Sequence, residues 1–428
     1  MLGAFARTVR RFGPALPGLL DGLRDGRLAG RCVYLMRPLV LVALMGFVCL
    51  LGSRRRLRTA FNGPAGLANL NRLAGTDLAT LPHPDTIAAA LKKLPAGALD
   101  RVRTGLMRAL LRSRALEPFR LRGRFYLVAI DATGLLTFRR PHCPHCLVRR
   151  LADGRTVWQH HVLEAKLVCA NGMVFSLDSE FIANADGAAK QDCEIKAFRR
   201  LIPRLRAAFP CLPMCALLDG LYLNAPTMRL LRQKRLRYFI TFKKGSLPSA
   251  WEEFEALAAL TPRHRRQVVC GAVRRCYRWV EDLPHGGEAF HVIECVETDR
   301  AGRARRFAWA TNLRPSAAVV EDLCQKGARL RWKIENEGFN RQKNGGYALE
   351  HAYSQDWDVA QHFYVLLQIA HMISQLLVKG VLRQTPVVRL FGSLRAFAAR
   401  LLEAWRNVAL PDGALAGGPA FQVRFDDG

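Results

Sequence analysis

Acidic residues are scarce in this sequence. Against 65 lysines and arginines stand 35 aspartates and glutamates, leaving a formal charge of +30 and a pI of about 10.5. A chain this unbalanced is not electrostatically self-sufficient, and it calls for a polyanionic partner. Nucleic acid is the first expectation, because phosphate contacts by Lys and Arg release counterions, and phospholipid is the second. Long apolar runs are missing too. Pro38–Leu51 is the most apolar stretch, with Arg37 before it and Arg54-Arg55-Arg56 after it, and it falls short of the roughly 20 residues that cross a bilayer. It is expected to be a buried helix, and no membrane association is expected. Residues 1–30 hold no uninterrupted apolar segment ending in a cleavage site, so no secretory leader is expected. The 12 cysteines are too thinly spread over 428 residues for a small disulfide scaffold. Several, such as Cys215 and Cys295, sit inside apolar runs and read as reduced core residues, which predicts a cytoplasmic compartment. With 50% apolar residues, a disordered chain is excluded.

What is present begins with helices. Residues 1–122 read as helical and arginine-rich. Within them, Pro82-His83-Pro84-Asp85 precedes Ile87, Leu91 and Leu94 at helical spacing, which predicts a short helix capped by Asp85. Lys92 and Lys93 lie off its apolar stripe and suit contact with DNA, although a small surface helix has the same pattern. From Phe125 the pattern becomes extended. Strand one is expected over Phe125–Asp131, then a hairpin of Thr156–Val168 and Met173–Ile182 joined by Asn171-Gly172. A helix over Asp192–Leu205, a strand ending at Asp219, a helix near Ala225–Arg235 and a strand over Tyr238–Phe242 follow. Four further short strands are expected between residues 268 and 310, and a helix over Gln361–Val378.

Two acids each close a short apolar run: Asp131 after Phe125–Ile130, and Asp219 after Cys215–Leu218. An acid just past a buried strand is reachable by a ligand at the sheet's edge. A third set of acids lies in Arg331-Trp332-Lys333-Ile334-Glu335-Asn336-Glu337-Gly338-Phe339-Asn340-Arg341-Gln342-Lys343, expected to be helical with cations around Glu335 and Glu337. Clustered carboxylates repel one another unless cations neutralise them, and such oxygen donors suit Mg²⁺ or Mn²⁺.

Ala129-Ile130-Asp131-Ala132-Thr133-Gly134, Leu217-Leu218-Asp219-Gly220 with Tyr222, and Arg331-Trp332-Lys333-Ile334-Glu335 together resemble DDE-type insertion-sequence transposases of the branch with a Tyr-Arg-Glu-Lys signature. The resemblance runs from about residue 83 to about residue 375. It implies an α/β protein: a ribonuclease-H-like mixed sheet flanked by helices, with a helical N-terminal domain and a mainly β insertion before the last catalytic helix. The implied division is a DNA-binding domain over 1–122, core segments over 123–245 and 314–380, an insertion over 246–313, and a C-terminal helix and flexible tail over 381–428. Asp131, Asp219 and Glu335 would be the catalytic residues and hold Mg²⁺ or Mn²⁺. Arg331 and Lys343 would contact DNA, as would Lys92 and Lys93. The implied activity is cleavage at element ends and strand transfer, by a homodimer on terminal inverted repeats in a bacterial nucleoid. A transposase-derived DNA-binding protein with a decayed site, or a general nuclease of the same fold, would share these features.

The departures matter. The signature Tyr falls on Ala328 and the signature Lys on Gln342, one residue before Lys343. That slip turns a regular helix by about 100° unless Gly338 marks an irregularity. Glu335 is favoured over Glu337, which stands four after Lys333 rather than four after Arg331. Trp279 and Trp309 suit either base stacking or a strand core. Arg263-His264-Arg265-Arg266 and Arg303-Ala304-Arg305-Arg306 supply phosphate-seeking charge. Lys190-Gln191-Asp192-Cys193-Glu194 also resembles the family, although an acid there favours a helix dipole in any case. Finally, His142-Cys143-Pro144-His145-Cys146 offers half a zinc site through Cys143 and Cys146. No second Cys pair follows at suitable spacing, and His160 and His161 are the nearest complements.

Overall fold

A computed structural model describes residues 1–184, 190–381 and 390–411. The chain is α/β, built on a ten-stranded mixed sheet flanked by helices. Its strands are β1 (Tyr126–Phe138), β2 (Leu147–Arg150), β3 (Thr156–Val168), β4 (Val174–Ile182), β5 (Met214–Leu218), β6 (Arg237–Thr241), β7 (Arg265–Cys270), β8 (Val273–His285), β9 (Glu288–Thr298) and β10 (Ala304–Thr311). They lie in the order β2-β3-β1-β5-β6-β10-β9-β8-β7, with β4 also on β3. β3 is antiparallel to β1, whereas β5 is parallel to both β1 and β6. The parallel steps are bridged by helices Glu194–Ala208 and Ala225–Gln233, as a crossover between parallel strands requires.

Tyr126–Ile130 is buried throughout, and alternation divides it between two cores. Val128 and Ile130 join the large core with Phe198 and Leu201. Leu127 and Ala129 join a second core with Ala328, Ile334 and Phe339. β1 runs seven residues past its expected end at Asp131, because β3 stays paired with it as far as Phe138. The Asn-Gly turn forms as the sequence predicts: Gly172 has φ +79°, and Asn171 Oδ1 accepts from the Met173 amide at 3.1 Å. The 246–313 segment is mainly β, with one helix at Pro248–Leu260, and its strand β10 extends the central sheet through β6. Trp279 and Trp309 are buried in it, stacked on His264 and Phe307, so they are core residues and closed to bases.

Residues 1–122 are helical, as expected, and their core is continuous with that of the sheet. Met36–Val48 is buried on nearly every side. Its Phe47 meets Tyr353 and Phe363, the latter on helix Trp357–Leu376. By length and composition Trp357–Gly380 suffices to cross a membrane, yet 83% of its apolar window is buried inside the protein. The N-cap of helix Pro84–Leu91 is His83 and not Asp85: His83 Nδ1 accepts from the Asp85 amide at 3.2 Å. Pro84 explains the shift, since a proline favours the first helical position and leaves the preceding residue to cap. Helix Leu394–Asn407 is present, and the expected tail lies outside the described residues from 412 onward.

Arg103, on helix Ala98–Arg112, ties the N-terminal helices to the sheet. It is 1% exposed and bonds Ser176, Ser179, Asp100 and Asp178, with Glu164 at 4.0 Å. Glu164 also pairs with the fully buried Lys166 at 3.1 Å, and Lys166 donates to Gln368 at 2.6 Å. Removing one partner of such a network leaves buried charge uncompensated. Arg103→Met is therefore expected to cost about 3–5 kcal/mol in urea-unfolding stability. An exposed control, Arg101→Met, should change it by less than about 0.5 kcal/mol.

Candidate carboxylate site and a histidine–cysteine cluster

Strand pairing brings Asp131 and Asp219 together. β1 and β5 are parallel neighbours with Ala129 opposite Leu217, and each acid stands two residues beyond that matched pair. By alternation both carboxylates leave the sheet on the face that carries the second core. β5 ends at Leu218, so past Ala129 that flank of β1 is open. Asp131 is thus reachable although it lies inside a strand. Asp219 caps the 3₁₀ turn Gly220–Tyr222, its Oδ1 accepting from the Leu221 amide at 3.0 Å.

The segment across this face is not the regular helix the sequence suggests. Ala328–Trp332 is 3₁₀, Ile334–Asn340 is a π-helix, and Arg341–Asn344 is α. The π turn contains Gly338, which packs against Lys166 and Val174. From this segment Arg331 reaches Asp131 Oδ2 at 3.3 Å and Glu335 Oε1 at 3.0 Å, so one guanidinium bridges both acids. Glu337 turns elsewhere. Its carboxyl lies beside Gly172 in the β3–β4 turn and 3.8 Å from Arg341. Glu335 is therefore the acid that meets Asp131.

The π turn also bears on the Gln342/Lys343 slip. A π turn takes up one residue more than an α turn, which offsets a one-residue displacement. Gln342 is fully buried against Gln368 and His371. Lys343 remains accessible and pairs with Glu350 at 2.7 Å. Burial first, then the charges of Arg149 and Lys343, hold the His161 imidazole below its ordinary value, and His161 lies opposite Gly134 of β1. Ala328, where the signature Tyr would stand, is buried in the second core.

Two residues join the site that were not assigned to it from the sequence. Glu194 begins helix Glu194–Ala208 and accepts a 2.6 Å hydrogen bond from the Tyr222 hydroxyl. Burial raises the Glu194 carboxyl, Tyr222 opposes that, and Asp219 adds to it. Burial pushes the Asp131 carboxyl up to about 7, Arg331 pulls it back, and Glu335 and Glu194 push it further up. Glu335 and Glu194 thus act on Asp131, Asp219 acts on Glu194, and the Arg331 guanidinium lies between Asp131 and Glu335. The Gln191–Glu194 stretch carried the signal for Glu194. Its neighbour Asp192 is used otherwise, bonding Arg200 at 2.7 Å and the Ala183 amide at 3.2 Å.

Of the other predicted contacts, Lys92 pairs with Asp356 at 2.7 Å, and Lys93 is exposed just past its helix. Arg266, Arg303 and Arg306 are engaged within the protein, by Glu321, by Asp299, and by Glu255 and Glu294. Cys143 and Cys146 meet His160, not His161: Nε2 of His160 is 3.1 and 3.3 Å from their sulfurs, which are 3.7 Å apart. His142 completes the group. Among the described residues it is the one set of His, Cys, Asp or Glu whose ligand atoms all lie within 4.8 Å. Burial, aided by the neighbouring histidines, holds His160 down to about 4, so its ring is neutral.

No protein-family model matches the chain, and no curated protein matches its sequence.

The folded Asp131 carboxyl titrates above its unfolded value of about 3.9, so its ionisation opposes folding, a penalty that is absent below pH 4 and complete above 7. Asp131→Asn is expected to stabilise the chelator-treated protein by on the order of 4 kcal/mol at pH 8, with the difference shrinking as pH falls towards 4. Urea titrations at a series of pH values measure it.

Proposed function

We propose that this chain is a DDE-type transposase that cuts DNA at the ends of an insertion element and joins them to target DNA. The observation that carries the reading is the meeting of Asp131 and Glu335 on Arg331, with Asp219 at the matched position of the adjacent parallel strand. The order β4-β3-β1-β5-β6, with β3 reversed, is the arrangement expected of a ribonuclease-H-like core, and it supports the same reading.

The donor set suits a hard divalent cation. Its members are carboxylate oxygens, and burial together with mutual repulsion raises Asp131 and Glu194 in a way added positive charge would relieve. Asp131, Asp219 and Glu335 would hold Mg²⁺ or Mn²⁺. When bound, such ions lower the pKa of an attacking water or 3′-hydroxyl and stabilise the departing oxygen. Tyr222 fixes Glu194 beside Asp219. Arg331 keeps Asp131 and Glu335 in register and, once a cation takes over those acids, its guanidinium can turn to a DNA phosphate. Lys343 can exchange Glu350 for a phosphate oxygen, and Lys93 reaches the flanking duplex. The charge of +30 favours DNA over any small substrate and makes binding steeply salt-dependent. Two copies on paired ends would complete the reaction.

The test is cleavage and joining of DNA carrying the inverted repeats that flank the gene, with unrelated DNA as control. Glu335→Gln is expected to slow cutting by roughly 10²-fold or more while sparing DNA binding, and Glu337→Gln to leave it within a few-fold. Equal cutting of unrelated DNA without joining would make the protein a general nuclease. Binding of the repeats without cutting in Mg²⁺ or Mn²⁺ would make it a DNA-binding relative, and either result overturns the proposal.

A further inference from the structure

The cluster at the far end of β1 is separate from the carboxylate site. His142, Cys143 and Cys146 lie in the turn between β1 and β2, and His160 comes from β3, which pairs with both strands. The turn is tight: the Cys146 amide donates to the Cys143 carbonyl at 3.3 Å, and Asn184 Nδ2 donates to the Cys146 carbonyl at 2.8 Å.

Hydrogen bonding alone leaves the group unsatisfied. An imidazole nitrogen has one proton or one lone pair, and so serves one partner. Yet both sulfurs approach Nε2 of His160, at 3.1 and 3.3 Å. Nδ1 of His142 is buried and has no hydrogen-bond partner. A disulfide does not account for the approach, since the sulfurs are 3.7 Å apart against about 2.05 Å for a bond.

A tetrahedral ion does account for it. With metal–sulfur bonds of about 2.3 Å and metal–nitrogen bonds of about 2.0–2.1 Å, the edges of the tetrahedron are about 3.8 Å between sulfurs and about 3.5 Å from sulfur to nitrogen. The observed separations come within a few tenths of an ångström of these edges. Phe138 stacks on the His142 ring at 4.0 Å, Trp357 meets His160 edge-on at 4.6 Å, and Cys146 and His160 are buried.

We propose that His142, Cys143, Cys146 and His160 form a structural zinc site that fastens the β1–β2 turn to β3. The set of two thiolates and two imidazoles leaves no coordination position for a substrate, so the site is structural and not catalytic. Binding releases the two thiol protons to solvent, and no redox change is involved.

Zinc content and cobalt substitution test this. The full chain, purified under reducing conditions, should carry one zinc per molecule, distinguishable from Mg²⁺ at the carboxylates by elemental analysis. Replacement by Co²⁺ should give the visible bands of a tetrahedral ion and a thiolate charge-transfer band. Cys146→Ser should abolish both, whereas His161→Gln should keep both. Should Cys146→Ser fail to fold, His142→Cys supplies a second route: a third thiolate should raise the charge-transfer absorption by about half while the protein stays tetrahedral and folded. Absence of cobalt bands in protein folded by circular dichroism would overturn the proposal. So would bands that survive Cys146→Ser, or an unaltered spectrum in His142→Cys.

Discussion

Arg331 joins an acid on a strand to an acid on the segment packed over it, and the shape of the site follows from that pairing. A second group of buried acids, by contrast, faces several cations. Glu164 and Asp178 have Arg103, Lys166 and Arg204 around them, and the Ser179 hydroxyl donates to Glu164. At the Asp131 site one guanidinium meets Asp131 and Glu335, while Glu194 acts on Asp131 and Asp219 on Glu194. Desolvating unbalanced charge opposes folding, and among the described residues the several cations around Glu164 and Asp178 have no counterpart beside Asp131 except Arg331. The proposed function turns on this local shortfall of positive charge.

The geometry that creates the shortfall is mostly that of the sheet. Parallel pairing of β1 with β5 sets Asp131 and Asp219 at equivalent heights, and the early end of β5 uncovers them. The π turn at Ile334–Asn340 then fixes which of two acids turns inward. It directs Glu335 to the guanidinium and Glu337 to the β3–β4 turn, while burying Gln342 and leaving Lys343 at the surface.

Much of this was legible in the residues. Apolar runs ending in Asp131 and Asp219 marked adjacent strands, and Arg331 four places before Glu335 marked the acid that faces them. The Asn-Gly turn and the buried Met36–Val48 helix followed from local pattern alone. Other features were not legible, for identifiable reasons. The length of β1 depends on β3 continuing alongside it, a long-range pairing that a polar stretch such as Asp131–Gly134 does not announce. Glu194 resembles any acid at a helix start until Tyr222 is seen to hold it. His160 and His161 are adjacent and chemically alike, so only strand alternation separates the one near the sulfurs from its neighbour. Many basic residues that looked available for phosphate, Arg306 and Arg266 among them, are engaged by acids distant in sequence.

The buried Lys166 has an implication for how the protein is made. The glutamine that accepts its hydrogen bond lies 202 positions downstream, and the Val174 amide waits for Gln375, 201 positions away. While the ribosome is still at work on the intervening chain, the finished β3–β4 hairpin carries an ammonium on a surface meant for the interior. Closure must therefore come late, when helix Trp357–Leu376 emerges and lays itself over the sheet. Such distant partners slow the search and prolong the exposure of sticky intermediates, so biogenesis of this protein should lean on holding chaperones more heavily than its size alone would suggest.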